Sequence, residues 1–378
     1  MKRVRVSDLI PGMKTAEDVY SFNNQLVVEK NVVLTDEIIT RLEYHSVLSI
    51  RVVDEPVLGQ DIPNPSVQNS YYEEQSPKFS EMPESLSYSQ RVKQTKRFME
   101  FQKSFVANTE ALQGHLHDIV AKNSINTGVM LQSVTGLITQ GTTTIGMFDM
   151  LHNMRAYDDM TYVHSMSVSL ICNIFGRWLG YKDEELKVLT LAGLLHDIGK
   201  MAIPEKIVKK PAKLTEEEYN TIKQHTVQGY RILKPLQIDS RIKDAALLHH
   251  ERCDGGGYPL GITGDKVPDF AKIVAIADVY DAMTAARVYR GPMCPFKVIS
   301  IFEEEGLQKY DSKFILTFLE NIGQTYQNNR VRLNNGVVGD IVLIHREKIS
   351  RPLIKCENGS FIDLNTPQYA SLYIDNLV

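Results

Sequence analysis

At 378 residues the chain is long enough for two or three domains, one of them with a sizeable core. Its net charge of -4 gives no global reason to expect nucleic acid or an anionic membrane as a partner, and no apolar run approaches the roughly 20 residues of a membrane span. The four cysteines (Cys172, Cys253, Cys294, Cys356) are scattered and form no Cys-x-x-Cys pair, which argues against a disulfide framework or a cysteine zinc site and fits a reducing, cytoplasmic setting.

Residues 1–55 read as a small β-rich module. Short apolar stretches at Val19-Tyr20, Leu26-Val28 and Val32-Leu34 are broken by turn signals at Pro11-Gly12 and Asn23-Asn24. A short helix is expected after Thr35, then a strand through Ile50 to Val53. The basic start, Met1 to Asp8, has no apolar run behind it and does not read as a signal peptide. Residues 56–90 carry Pro56, Pro63, Pro65, Pro77 and Pro83 among polar residues and read as a mobile linker. From 91 to 152 the pattern is a helical connector, broken near Asn123 to Gly128, whose 91–150 helices are a candidate homodimerisation element. His115-Leu116-His117-Asp118 lies there between polar flanks, so a solvated helix face is the preferred reading. Strong helices with short connections fill 153–327. The segment 328–378 turns to strand-like runs with Asn-Gly hairpin signals at Asn335-Gly336 and Asn358-Gly359, a second small β-rich module. The fold class expected is mainly α, a helical bundle flanked by β-rich N- and C-terminal modules.

The most informative stretch is Leu194-Leu195-His196-Asp197-Ile198-Gly199-Lys200. From Val188 to Ile198 there is almost no polar face, so a buried helix is expected, and a buried carboxylate beside an imidazole is costly unless compensated. His164 shares a helical face with Val168, Ile171 and Phe175, and so points into the core. His225 falls on a helix opened by a capping box, Thr215-x-x-Glu218. His249 and His250 end the helix Arg241 to Glu251, and Asp278 interrupts the apolar run Ile273 to Ala277. One inward histidine is more often a satisfied core residue than a ligand. Five of them with two buried aspartates point instead to metal. Imidazole and carboxylate suit iron, manganese, zinc or nickel, and seven ligands are too many for one tetrahedral zinc. Two divalent ions sharing a carboxylate is the economical arrangement, and hydrolysis of a phosphodiester is the chemistry such a pair suits.

These residues also carry a resemblance. His196-Asp197-Ile198-Gly199-Lys200, followed by His249-His250-Glu251-Arg252-Cys253-Asp254-Gly255-Gly256-Gly257-Tyr258-Pro259, resembles the HD-GYP domain, a bacterial branch of the HD metal phosphohydrolases that degrades the second messenger cyclic di-GMP. The match runs from about Asp158 to Leu319 and extends to Ile203-Pro204-Glu205 and Ala277-Asp278-Val279-Tyr280-Asp281-Ala282. The resemblance implies a helical HD-type phosphohydrolase bundle over 153–327. It implies one metal among His164, His196, Asp197 and Asp278, with Asp197 bridging to a second held by His225, His249 and His250, iron or manganese being the family's metals. Asp197 and Lys200 would lie closest to the reaction, in which a metal-bridging hydroxide opens cyclic di-GMP to pGpG, further cleavage to GMP being left open. Lys200, one turn after His196, would stabilise phosphate charge or protonate the leaving oxygen. Gly257 and Tyr258 would shape the substrate pocket, Asp281 would orient a ligand or contact the base, and Arg287 and Arg290 would grip phosphate and guanine edges. A solvated helix end is an equally weighted reading of those two arginines.

Some positions depart from the family pattern. A glutamate that holds a third metal in some members is Met160 here, which favours a two-metal site. The usual Trp is Cys253, the usual Pro after the first arginine is Val288, and the Gly expected after Lys210-Pro211 is Ala212. Alternatives in substrate are another cyclic dinucleotide or a nucleotide phosphomonoester. An alternative in class is a nucleotide-responsive scaffold that engages a protein partner through the Gly257-Tyr258-Pro259 surface.

Overall fold

The computed structural model describes residues 2–6, 9, 13–20, 26–34, 38, 42, 49–53, 92–140, 147–148, 150–151, 154, 160–210, 212–285 and 293–378. They fall into two compact units.

The N-terminal unit is built from β1 (Lys2–Arg5), β2 (Val19–Tyr20), β3 (Leu26–Val28) and β4 (Ser49–Val52). β1 pairs antiparallel with β4, Val4 opposite Ile50, and β2 pairs antiparallel with β3. Alternation does the work: Ile50 and Val52 point inward with Val4, Val19, Val27 and Leu34 to make a small apolar core. β1 was not legible beforehand, because Lys2-Arg3-Val4-Arg5 has only one apolar residue and gains its strand form from a distant partner. Val33 enters only an isolated bridge with Lys14, where a strand was expected. The helix expected after Thr35 is described only at Ile38 and Leu42, both helical, and the 56–90 linker lies outside the described residues.

The second unit is helical with a sheet at its end. Helix α1 (Lys96–Lys122) starts where Thr95 Oγ1 accepts the Phe98 N–H, and stops at Asn123, whose backbone is left-handed (φ 51°). Phe98, Phe101, Phe105, Leu112, Leu116 and Ile119 bury one stripe of it at three- and four-residue spacing, packed on α2 (Thr127–Gln140) and α3 (Met160–Trp178). His117 and Asp118 lie on the opposite, exposed face, with Asp118 paired to Lys122 at 2.8 Å.

Helix α3 packs most extensively on α4 (Asp183–Leu195). The approach depends on Gly193: a Cβ there would lie 2.9 Å from Cys172 Sγ and 3.0 Å from Ser169 Cα. After α4 come a 3-10 turn (Ile198–Ala202), α5 (Glu205–Val208), α6 (Glu216–Lys223), α7 (His225–Leu233), α8 (Ser240–Leu248), α9 (Asp269–Thr284), α10 (Pro295–Lys309) and α11 (Ser312–Thr325). The capping box at Thr215 and Glu218 forms as expected, with Glu218 also bound by Lys210 at 2.5 Å. It opens α6 rather than the helix of His225, because the chain breaks at Gln224 and His225 begins α7.

The last strands, β5 (Arg330–Leu333), β6 (Val338–Leu343), β7 (Leu353–Cys356), β8 (Phe361–Asp363) and β9 (Ile374–Leu377), form one antiparallel sheet in the order β8-β7-β6-β5-β9. Gly336 (φ 86°) and Gly359 (φ 82°) supply the left-handed turn residues of two hairpins. The sheet is tied to the helices: Glu303 of α10 accepts from the Ser350 N–H and hydroxyl at 3.2 and 2.5 Å, and Ile349 packs over Gly323 of α11. No helix among the described residues is long and apolar enough to cross a membrane.

Candidate active site

Five elements converge on one buried polar cluster. Helix α3 brings His164, the end of α4 brings His196 and Asp197, α7 opens with His225, α8 closes into His249 and His250, and α9 carries Asp278 and Asp281. His196, Asp197, His225, His249, Asp278 and Asp281 are all buried.

The end of α4 is where the structure departs from the expected helix. The α-helix stops at Leu195, Asp197 sits at φ -101° and ψ 9°, and a 3-10 turn follows. An apolar run cannot distinguish an α-turn from a 3-10 turn. The consequence is chemical: residues three apart eclipse in a 3-10 turn, so Lys200 falls over Asp197 and its ammonium pairs with Oδ2, rather than standing one α-turn beyond His196.

Three histidines are held by the main chain. The Nδ1–H of His196 donates to the Gly193 carbonyl at 2.8 Å, that of His225 to Ile222 at 2.6 Å, and that of His249 to Ala245 at 2.9 Å. Each bond fixes the ring and leaves Nε2 facing the cluster. Two donor groups result, Asp197, His225, His249 and His250 in one and His164, His196 and Asp278 in the other, the ligand atoms of each group lying within 4.8 Å of one another. Asp197 touches both: Oδ1 lies 3.3 Å from His225 Nε2 and 3.9 Å from His249 Nε2, while Oδ2 lies 3.3 Å from His196 Nε2 and 3.6 Å from His164 Nε2.

Whether metal fits can be judged from the donors themselves. His196 Nε2 and Asp197 Oδ1 are buried with no hydrogen-bond partner, a costly state for protein groups alone. Electrostatics agree. Burial pulls His225 down, His249 well down and His250 to about 3, so all three are neutral imidazoles near pH 7, the ligating form. Burial opposes ionisation of Asp197, but the Lys200 ammonium and then His196 hold its carboxyl well below the usual range. The cluster could hold metal.

His164 behaves differently. Burial alone would lower it, but hydrogen bonds from Nε2 to Asp278 (2.9 Å) and from Nδ1 to Asp281 (2.7 Å) prevail and push it up to about 9. The free site therefore carries a proton on His164 at pH 7 that must leave when Nε2 becomes a ligand. Metal binding is expected to release about one proton near pH 7 and to tighten as pH rises towards 9. Titration calorimetry in buffers of different ionisation heat measures this. No dependence of the heat on buffer would remove His164 from the ligand set.

The Gly257-Tyr258-Pro259 segment lies against this cluster. A Cβ on Gly257 would fall 2.5 Å from the His250 carbonyl oxygen, so only glycine admits the loop so close to a donor's backbone. The Tyr258 N–H donates to that carbonyl at 3.1 Å, and its ring lies 4.7 Å from the His250 ring. Burial pushes the Tyr258 phenol up, so its hydroxyl stays a hydrogen-bond donor. Asp281 accepts from His164 Nδ1, which places it behind a candidate ligand and not at an open surface. Arg287 and Arg290 lie outside the described residues.

Sequence reasoning missed the function of Glu251. It is buried, and its carboxylate accepts three consecutive N–H groups: Leu260 (2.6 Å) and Gly261 (3.1 Å) on Oε1 and Ile262 (3.2 Å) on Oε2. One side chain thus pins the loop beyond Tyr258. The available signal was an acid between a His pair and a glycine-rich loop, where free N–H groups need an acceptor. Glu251→Ala is expected to cut turnover roughly 10–100-fold with metal content unchanged. Hydrogen exchange at Leu260 to Ile262 checks the cause, since protection there should fall.

A buried His/Asp cluster gathered from several helices and closed by a lysine is the arrangement of an HD-type metal-binding domain. Residues 147–314 match the sequence model of the HD domain family. The chain is 34% identical over 206 residues to the cyclic di-GMP phosphodiesterase PA4108 of Pseudomonas aeruginosa, covering 54% of this chain and 50% of that one. It is 38% identical over 179 residues to the 3'3'-cGAMP-specific phosphodiesterase 1 of Vibrio cholerae, covering 47% and 42%. A solved structure, the HDG"Y"P protein Bd1817 from Bdellovibrio bacteriovorus, aligns with TM-score 0.43 at 16% identity over 85% of this chain and 99% of that one. The chain spans about half or less of the length of these two curated relatives.

Proposed function

We propose that this chain is a metal-dependent phosphodiesterase that opens cyclic di-GMP to linear pGpG, with GMP as the product of a second cut. The observation that carries the reading is the pair of donor groups sharing Asp197, with His196 Nε2 and Asp197 Oδ1 buried and unpartnered. Two divalent ions, iron or manganese, would be held by His164, His196, Asp197 and Asp278 on one side and by Asp197, His225, His249 and His250 on the other. Bound there, they would supply Lewis acidity to the phosphoryl oxygens and activate water.

The remaining steps fall to the chain's own groups. Asp281 keeps His164 oriented through Nδ1. Lys200, now on Asp197 Oδ2, is placed to turn its ammonium to a phosphoryl oxygen or to hand a proton to the leaving oxygen. Tyr258 donates its hydroxyl to the phosphate, and Glu251 holds the loop that carries it. Arg287 and Arg290 are proposed to grip phosphate and guanine edges. A cytoplasmic setting in bacterial second-messenger signalling accords with four free cysteines. Homodimerisation through 91–150 remains part of the proposal, although the buried stripe of α1 is already covered within the chain.

A second reading keeps the chemistry and changes the base to the mixed dinucleotide 3'3'-cGAMP, for which relatives in Vibrio cholerae are specific. Anaerobic turnover with Mn²⁺ or Fe²⁺, products separated by chromatography, tests both. The expected result is pGpG or GMP from cyclic di-GMP. Turnover of 3'3'-cGAMP alone would select the second reading, and no product from fully metal-loaded protein would overturn both.

A further inference from the structure

The predicted site residues that are described contact the cluster or flank it, and none of them accounts for the second half of a cyclic dinucleotide. Such a ligand carries two phosphodiesters, so when one lies at the cluster the other needs a cation of its own. Lys223 offers one. Its Nζ lies 6.0 Å from the centre of the Tyr258 ring and 5.0 Å from that of Tyr219, one turn earlier on α6. The Tyr258 ring faces His250 at 4.7 Å and meets His225 edge-on at 6.4 Å, so the ammonium is a single aromatic ring away from the candidate metal ligands. No carboxylate among the described residues pairs with it, in contrast to Lys200, Lys209 and Lys210 nearby, each held by an acid. Tyr219 is 48% exposed, and α6 has no buried residue, so this ring is not there to fill a core.

Resting on the phosphodiesterase reading, we infer that Lys223 and Tyr219 form an outer subsite for the distal half of the cyclic dinucleotide. The Lys223 ammonium takes the phosphodiester that is not being cut, and the exposed Tyr219 face stacks the purine beside it. Both contacts suit their groups: an unpaired ammonium held on aromatic rings is partly desolvated and binds a phosphate firmly, and a base stacks on an aromatic ring whatever its edge carries. The subsite thus recognises the class, a cyclic purine dinucleotide, and leaves the choice between guanine and adenine to other residues.

The test is equilibrium binding of cyclic di-GMP and cyclic di-AMP to the full chain in chelator, for wild type, Lys223→Met and Tyr219→Leu, followed by steady-state kinetics with Mn²⁺. Each variant is expected to bind both dinucleotides about tenfold more weakly. In turnover KM should rise by the same factor, with kcat little changed. Binding or KM equal to wild type in both variants would overturn the inference, as would wild-type protein that binds neither dinucleotide. A fall in melting temperature with KM unchanged would assign the pair a purely structural role. Binding that depends on Lys223 in a protein without turnover would leave the subsite standing and sink the phosphodiesterase reading instead.

Discussion

Asp197→Ala is expected to abolish turnover, by on the order of a thousandfold or more, and to lower the metal content of both groups together. Each other donor belongs to one group, while the two oxygens of Asp197 face histidines of both. Alanine would leave four imidazoles facing one another and free the Lys200 ammonium from its partner. A single replacement in one group, such as His249→Ala, should by contrast spare much of the other group's metal. Metal analysis beside product chromatography checks both statements. Equal loss of one metal in the two variants would show that Asp197 does not join the groups. Asp197→Asn sharpens the comparison, because the amide keeps the volume and loses the charge that lies opposite Lys200. It should unfold no more readily than wild type and still lose activity.

Much of this centre was legible because it is local and periodic. The face Val168, Ile171 and Phe175 announces that His164 points inward, and all three are fully covered. The two His-containing motifs specify donors within a few residues of one another. What escaped was either a change of helix type or a contact made at a distance. No pattern in Leu194 to Lys200 reveals that α4 stops at Leu195, because the apolar residues fit α and 3-10 geometry alike. The partners of Glu251 are backbone N–H groups nine to eleven residues on, which no side-chain pattern encodes. β1 is a strand only because β4 lies beside it, 46 positions later at the Val4–Ile50 pair of the register. The C-terminal module was read as a unit of its own, yet Glu303 and Gly323 join its Ser350 and Ile349 to the helices, contacts that strand periodicity cannot foretell.

Gly199→Ala should be nearly as damaging as loss of Asp197, although residue 199 donates nothing to the cluster. The 3-10 turn runs so close to the start of α7 that a Cβ on Gly199 would overlap the His225 carbonyl oxygen and the Gly229 nitrogen. Both are main-chain atoms in a helix, so neither can swing aside as a side-chain end would. Relief requires that α7 move away from the turn, and His225 moves with it, away from Asp197 Oδ1. An overpacked core of this kind costs about 3 kcal/mol, a fall in Tm of roughly 10 °C for a domain of this size. The metal of the His225 group should weaken more than that of the His164 group, which takes no donor from α7. Gly136→Ala, on α2, is the contrasting variant: nothing lies within 4 Å of its Cβ position, so the added methyl should stabilise the helix by about 0.5–1 kcal/mol. Calorimetric melting with metal analysis on the two proteins decides the matter. Should Gly199→Ala melt like wild type and retain both metals, the close packing of turn on helix would not be what sets His225 in place.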